Sequence, residues 1–132
     1  MRTIVRTHLI PLTILIALLA CAAPVEMKFP SGQVEVLAKS SASETFIPLD
    51  QQKQIFVLRT FKSCARWRAT TSVPSDPQIL YRLKSLASQT DLFLKGDVLY
   101  GTQPEGVARC KLEPMEAAAV RLMALRPRGP RR

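Results

Sequence analysis

His8 is the only histidine in this 132-residue chain, and it falls within the first twenty residues. Beyond residue 20 no imidazole is left to serve as general base, to partner a Ser or Cys nucleophile, or to bind a metal. Triad hydrolysis is excluded there. Aromatics are scarce at 6%, so an array of rings for stacking bases is missing too. Acids are in deficit, 10 Asp+Glu against 19 Lys+Arg, for a formal net charge of +9. The acids Asp76, Asp91, Asp97, Glu105, Glu113 and Glu116 are scattered, and several stand where a cap, a turn or a first helical turn would use them. Nothing in their spacing suggests a glycosidase pair. Gly-rich phosphate loops are absent, and no two of the three cysteines lie close enough in sequence to suggest a zinc site. No catalytic residue, metal ligand or cofactor is expected.

What is present begins at the N-terminus. Met1–Thr7 carries Arg2 and Arg6 without an acid, and Leu9–Leu19 is almost wholly apolar, ending in Ala20 and Cys21. A basic start, an apolar run of about 7–15 residues and a small residue make a secretory signal peptide. A membrane span wants roughly 20 apolar residues. Pro11 interrupts this run, and Pro24 with Glu26 closes it.

Leu18-Leu19-Ala20-Cys21 resembles the lipobox of bacterial lipoproteins, with Leu19 in place of the usual Ala or Ser. The resemblance implies cleavage before Cys21 and acylation of its thiol and new N-terminus, palmitate included. Two or more acyl chains anchor a protein stably, where one does so only marginally. Within the lipoprotein class, Asp after the Cys favours the inner membrane. Ala22 stands here. The implied address is the outer membrane of a Gram-negative cell, on the periplasmic side. A signal anchor with an incidental Cys is the other reading.

Removing residues 1–20 takes away Arg2 and Arg6, leaving 17 basic against 10 acidic residues, or +7. Cys64 and Cys110 then remain as an even pair in an oxidising compartment, where a disulfide is the default. It would close a loop of about 47 residues, worth about 4 kcal/mol in the chain-entropy model. A redox-active pair would show Cys-x-x-Cys spacing instead.

The composition divides the remainder into a lipidated tether over 21–33, one domain over 34–125, and a basic tail over 126–132. Two prolines, a glycine and no periodicity mark the tether. Val34–Lys39 is a candidate strand, Lys39–Asp50 a loop, and Gln54–Thr60 (QIFVLRT) the clearest strand by composition. Cys64–Thr71 alternates, placing Trp67 inward and Arg66 and Arg68 on the other face, in a hairpin with the preceding run. Asp76-Pro77 reads as cap and first position of a helix reaching Ser88, with Ile79, Leu80, Leu83, Leu86 and Ala87 inward. Gly96-Asp97 marks a hairpin between Leu92–Lys95 and Val98–Thr102, and Gln103–Gly106 a turn into Val107–Lys111. Glu113-Pro114 opens a last helix with an apolar stripe of Met115, Ala118, Ala119 and Leu122, stopped by Arg126-Pro127. The expected fold is α+β: a small, mostly antiparallel sheet, two helices on one face and one disulfide.

In size, single disulfide and closing strand-Cys-helix layout, the chain is loosely similar to pilotins, the lipoproteins that escort secretins, and to small lipoproteins of conjugation machines. The similarity covers roughly Val34–Leu125 and carries no functional residue across. It implies a non-enzymatic accessory subunit of an envelope or secretion assembly, held to the membrane by its N-terminal lipid and binding another envelope protein rather than nucleic acid. Candidate partner-binding residues are Arg66, Arg68, Arg126, Arg128, Arg131 and Arg132, where Trp67 itself reads as core and the tail also reads as a solvated end. The alternative function is a module for a small apolar or cell-wall ligand, which an open cavity between sheet and helices would favour.

Overall fold

Gly96 takes φ 62° at the first central position of a two-residue turn, the conformation a type II′ hairpin requires. It joins β5 (Gln89–Lys95) to β6 (Val98–Gln103), and a second turn joins β6 to β7 (Gly106–Lys111), as the sequence predicts. In the computed structural model, which describes residues 24–125, these three strands form the centre and one flank of the sheet. The other elements are β1 (Glu35–Ser40), β2 (Ile47–Pro48), helix α1 (Gln51–Ser63), β3 (Arg68–Thr70), β4 (Ile79–Lys84) and helix α2 (Pro114–Leu125). The strand order is β2-β1-β4-β5-β6-β7-β3, and every pair of neighbours is antiparallel. The fold is α+β.

Gln54–Thr60, expected as a strand, lies inside α1. Asp50 caps that helix, its carboxylate accepting from the Lys53 N–H at 3.0 Å. Val57, Thr60 and Phe61 are buried at i, i+3 and i+4, so one helical stripe meets the sheet. The Ile-Phe-Val run is β-prone only locally, and packing of this stripe overrides that preference. Phe61–Ser63 is the last turn of the helix, so the expected hairpin with Cys64–Thr71 does not form. Only Arg68–Thr70 is strand, and it pairs with β7.

The opposite exchange occurs at 79–88. The expected helix is strand β4, bracketed by β1 and β5 over its whole length. Ile79, Tyr81 and Leu83 are fully buried, while Leu80, Arg82 and Lys84 face outward, a period of two. Leu80 and Leu83 happen also to match a period of 3.6. Leu86 and Ala87, assigned to the inward face of a helix, stand exposed in the β4–β5 turn. Asp76 caps nothing; it holds Lys95 at 2.7 Å, and that contact keeps its carboxyl below the usual carboxylate range.

Both helices cover one face. Phe61 of α1 meets Tyr81 edge to face with ring centroids 5.0 Å apart, and the Tyr81 hydroxyl donates to the Val120 carbonyl of α2 at 2.7 Å. Burial pushes the Tyr81 phenol well above its ordinary pKa, only partly opposed by nearby Arg121. Val36, Leu92, Leu94 and Leu99 complete the centre of this layer, each fully buried. Trp67 is buried as expected, with the Phe29 ring 6.2 Å away.

Strands β2, β3 and β4 run in the same direction, so α1 crosses from one edge of the sheet to the other and residues 71–78 cross back. Right-handed crossovers in both directions put the return link on the face opposite the helices. The Asp76–Lys95 contact agrees, since Lys95 faces outward next to buried Leu94.

Residues 24–30, within the segment expected as a tether, lie against the domain. Val25 N–H bonds the Trp67 carbonyl at 2.9 Å, Pro24 bridges Arg68, and Gln103 bonds Lys28 N–H and the Glu26 carbonyl. Met27 is buried over Gly101, where a Cβ would collide with its thioether.

Candidate functional site

Helix α2 begins where the sequence places it. Pro114 has no N–H to orphan at the first helical position, Ala117 N–H bonds the Glu113 carbonyl at 2.9 Å, and Glu116 complements the helix dipole in the first turn. The face it buries is not the expected one. Ala117, Val120 and Ala124 point into the core, where small side chains let the helix approach Phe61 and Tyr81 closely. Met115, Ala118, Ala119 and Leu122 lie on the far side of the cylinder, with Met115 84% and Leu122 58% exposed. The stripe is real but faces solvent. An apolar patch of this kind, continuous along a helix, marks an interaction surface more often than a scattered exposed Leu does.

The signal for this was present in the sequence. Ala117, Val120 and Ala124 are apolar on the side opposite the stripe, so the helix is apolar nearly all round, whereas a helix with one covered face needs only one such stripe.

A second surface is cationic and lies at the β3 edge. Arg66 and Arg68 are both exposed, on either side of buried Trp67. Arg68 stands opposite Arg109 of β7, and Arg109 opposite Tyr100 of β6. Lys111 is exposed two residues beyond Arg109, on the same face. Sequence reasoning identified Arg66 and Arg68 but missed Arg109 and Lys111, although the alternation of VARCK around the inward Cys110 displays both. The Cys64–Cys110 disulfide lies directly behind, with a Cα–Cα distance of 6.4 Å, and ties the end of α1 to β7. A small hollow of about 230 Å³ there is lined by Arg66, Lys111, Glu113 and Glu116 among others.

Four carboxylates, those of Asp50, Asp76, Asp91 and Glu105, are engaged structurally. Asp91 takes both ends of the Arg82 guanidinium at 3.0 and 3.1 Å, a bidentate pair that raises the Arg82 pKa, and the Phe46 ring lies 4.2 Å from that guanidinium. Glu105 is 3.7 Å from Lys28. Among the described residues no three of His, Cys, Asp or Glu gather as metal ligands, and no helix is long and apolar enough to cross a membrane. An open groove of about 640 Å³ runs between residues 31–35 and the β4–β5 turn, lined by polar Gln33, Gln54 and Ser85 as well as Val34 and Leu86.

Cys21, Arg126, Arg128, Arg131 and Arg132 lie outside the described residues. Compared with family models, curated proteins and solved structures, the chain matches none.

Proposed function

We propose that this chain is a non-enzymatic outer-membrane lipoprotein, anchored through Cys21 and facing the periplasm, that serves as a protein-binding accessory subunit of an envelope or secretion assembly. The exposed stripe of α2 carries the reading. Met115 and Leu122 leave apolar area in water on a helix whose other face already contributes to the core, and covering such area is what a protein partner supplies. Phe61 meets Tyr81 edge to face and the Tyr81 hydroxyl bonds the Val120 carbonyl, so these side chains occupy the centre of the layer between sheet and helices. The anchor follows from the lipobox-like Leu18-Leu19-Ala20-Cys21.

The test is photo-crosslinking in intact envelopes from Leu122→p-azidophenylalanine in the full chain. A single adduct of protein mass is expected, and Met115→Ser should abolish it. Adducts to glycan alone, or none, would turn the reading toward a cell-wall or small-ligand module, for which the 640 Å³ groove is the place to look.

A further inference from the structure

We propose that the β3 edge is the surface on which this domain rests on its own membrane, with Arg66, Arg68, Arg109 and Lys111 turned to anionic phospholipid headgroups. The proposal rests on the reading of Cys21 as the lipidated residue and adds to it an orientation. Three residue steps separate Cys21 from Pro24, a span of at most about 11 Å. Pro24 is itself bridged to Arg68, and Val25 bonds Trp67. An anchor on so short a lead cannot stand the domain off the bilayer. It holds the β3 edge at headgroup level.

The charge of that edge suits such a surface. Strands β3, β6 and β7 contain no acid, while Arg68, Arg109 and Lys111 project from the outward side of β3 and β7, the side along which residues 71–78 return to β4. Of the acids nearest this edge, Glu26 lies on the incoming segment, while Glu113 and Glu116, at the start of α2, line the same small hollow as Arg66 and Lys111. Asp91 and Asp76, facing outward on the central part, are held by Arg82 and Lys95. Half-buried Tyr100, opposite Arg109, adds an amphipathic ring of the kind favoured where apolar and wet regions meet. A polypeptide strand is a poor alternative occupant, because β3 has three residues and its outer neighbour Pro24 offers no N–H. In this pose the apolar stripe of α2 lies on the opposite layer and stays accessible from the periplasm.

The test uses the full lipidated chain in phosphatidylethanolamine vesicles containing phosphatidylglycerol. The photo-reactive residue is placed by Ala65→p-azidophenylalanine or Thr71→p-azidophenylalanine, flanking β3, and by the same substitution of Leu86 or Leu122, remote from it. Phospholipid adducts are expected at least about five times more often from 65 and 71 than from 86 and 122, since one basic side chain near an anionic surface already contributes about fivefold. The ratio should fall toward one in 1 M NaCl, and in the triple variant Arg66→Gln/Arg109→Gln/Lys111→Gln. Palmitate incorporation should be unchanged by that variant. Equal adducts at all four positions in palmitate-labelled protein would overturn the orientation and leave the anchor standing. A preponderance at 86 or 122 would reverse it. Absence of palmitate from wild type, restored by no condition and indifferent to Cys21→Ser, would retire the anchor and the orientation together.

Discussion

Helices α1 and α2 cover the same face of the same sheet, yet they present different surfaces to water. Beyond its buried stripe, α1 is polar over much of its circumference: Gln51, Gln52, Arg59 and Lys62 are exposed, and Ile55 is the one large apolar side chain fully among them. Its stability comes from the inward anchor Phe61, from the Asp50 cap and from the disulfide immediately after it. Helix α2 buries only two alanines and a valine, with Met123 half-buried against the core, and carries Met115 and Leu122 outward. A helix that puts small residues into the core and Met and Leu into solvent gains little for its own fold from the larger ones. The contrast separates residues that hold this domain together from residues available for a partner.

Substitutions can test that separation. Phe61→Ala should have the largest effect, because a fully buried ring packed edge to face against Tyr81 is lost from the join between α1 and the sheet. About 3–5 kcal/mol is expected, a large share of the 5–15 kcal/mol typical of a whole domain. Denaturant unfolding with an unchanged slope would measure it, and a loss below about 1 kcal/mol would show that α1 is not the anchor.

Tyr81→Phe comes next. The Val120 carbonyl would lose its donor while the ring stays packed, for a cost of about 1–2 kcal/mol. The same residue gives stability a pH dependence. Its phenol is raised above the ordinary 10.0 in the folded state, so the contribution is intact below about pH 10 and is lost as pH rises beyond it. Thermal melting from pH 9 upward should therefore fall more steeply in wild type than in Tyr81→Phe. Parallel curves would mean the hydroxyl is not sealed between β4 and α2.

The smallest effect belongs to the stripe. Met115→Ser with Leu122→Ser should alter stability by no more than about 0.5 kcal/mol each, as surface changes do. Calorimetry showing a fall of many degrees would place these side chains in the core after all and erase the difference between the helices.

How much of this was legible beforehand differs along the chain. The β5–β6–β7 meander and the start of α2 were readable because Gly96, Gly106 and Pro114 impose backbone conformations that neighbours cannot override. Residues 54–88 were not. QIFVLRT is a short apolar run, which periodicity alone cannot assign, and Leu80 and Leu83 fit helix and strand spacing alike. The stripe of α2 was legible as a pattern and illegible as a surface, since two apolar faces compete for one core.

By itself, the sequence determined the α+β class, the Cys64–Cys110 pair, the C-terminal hairpins and the last helix. Each of these follows from local stereochemistry or from counting. Which segment crosses the sheet as a helix, which enters it as a central strand, and which face of α2 meets water were decided only in three dimensions. Phe61, Tyr81 and Val120 come from distant parts of the chain, and their mutual fit selects one arrangement among several that local preference permits equally.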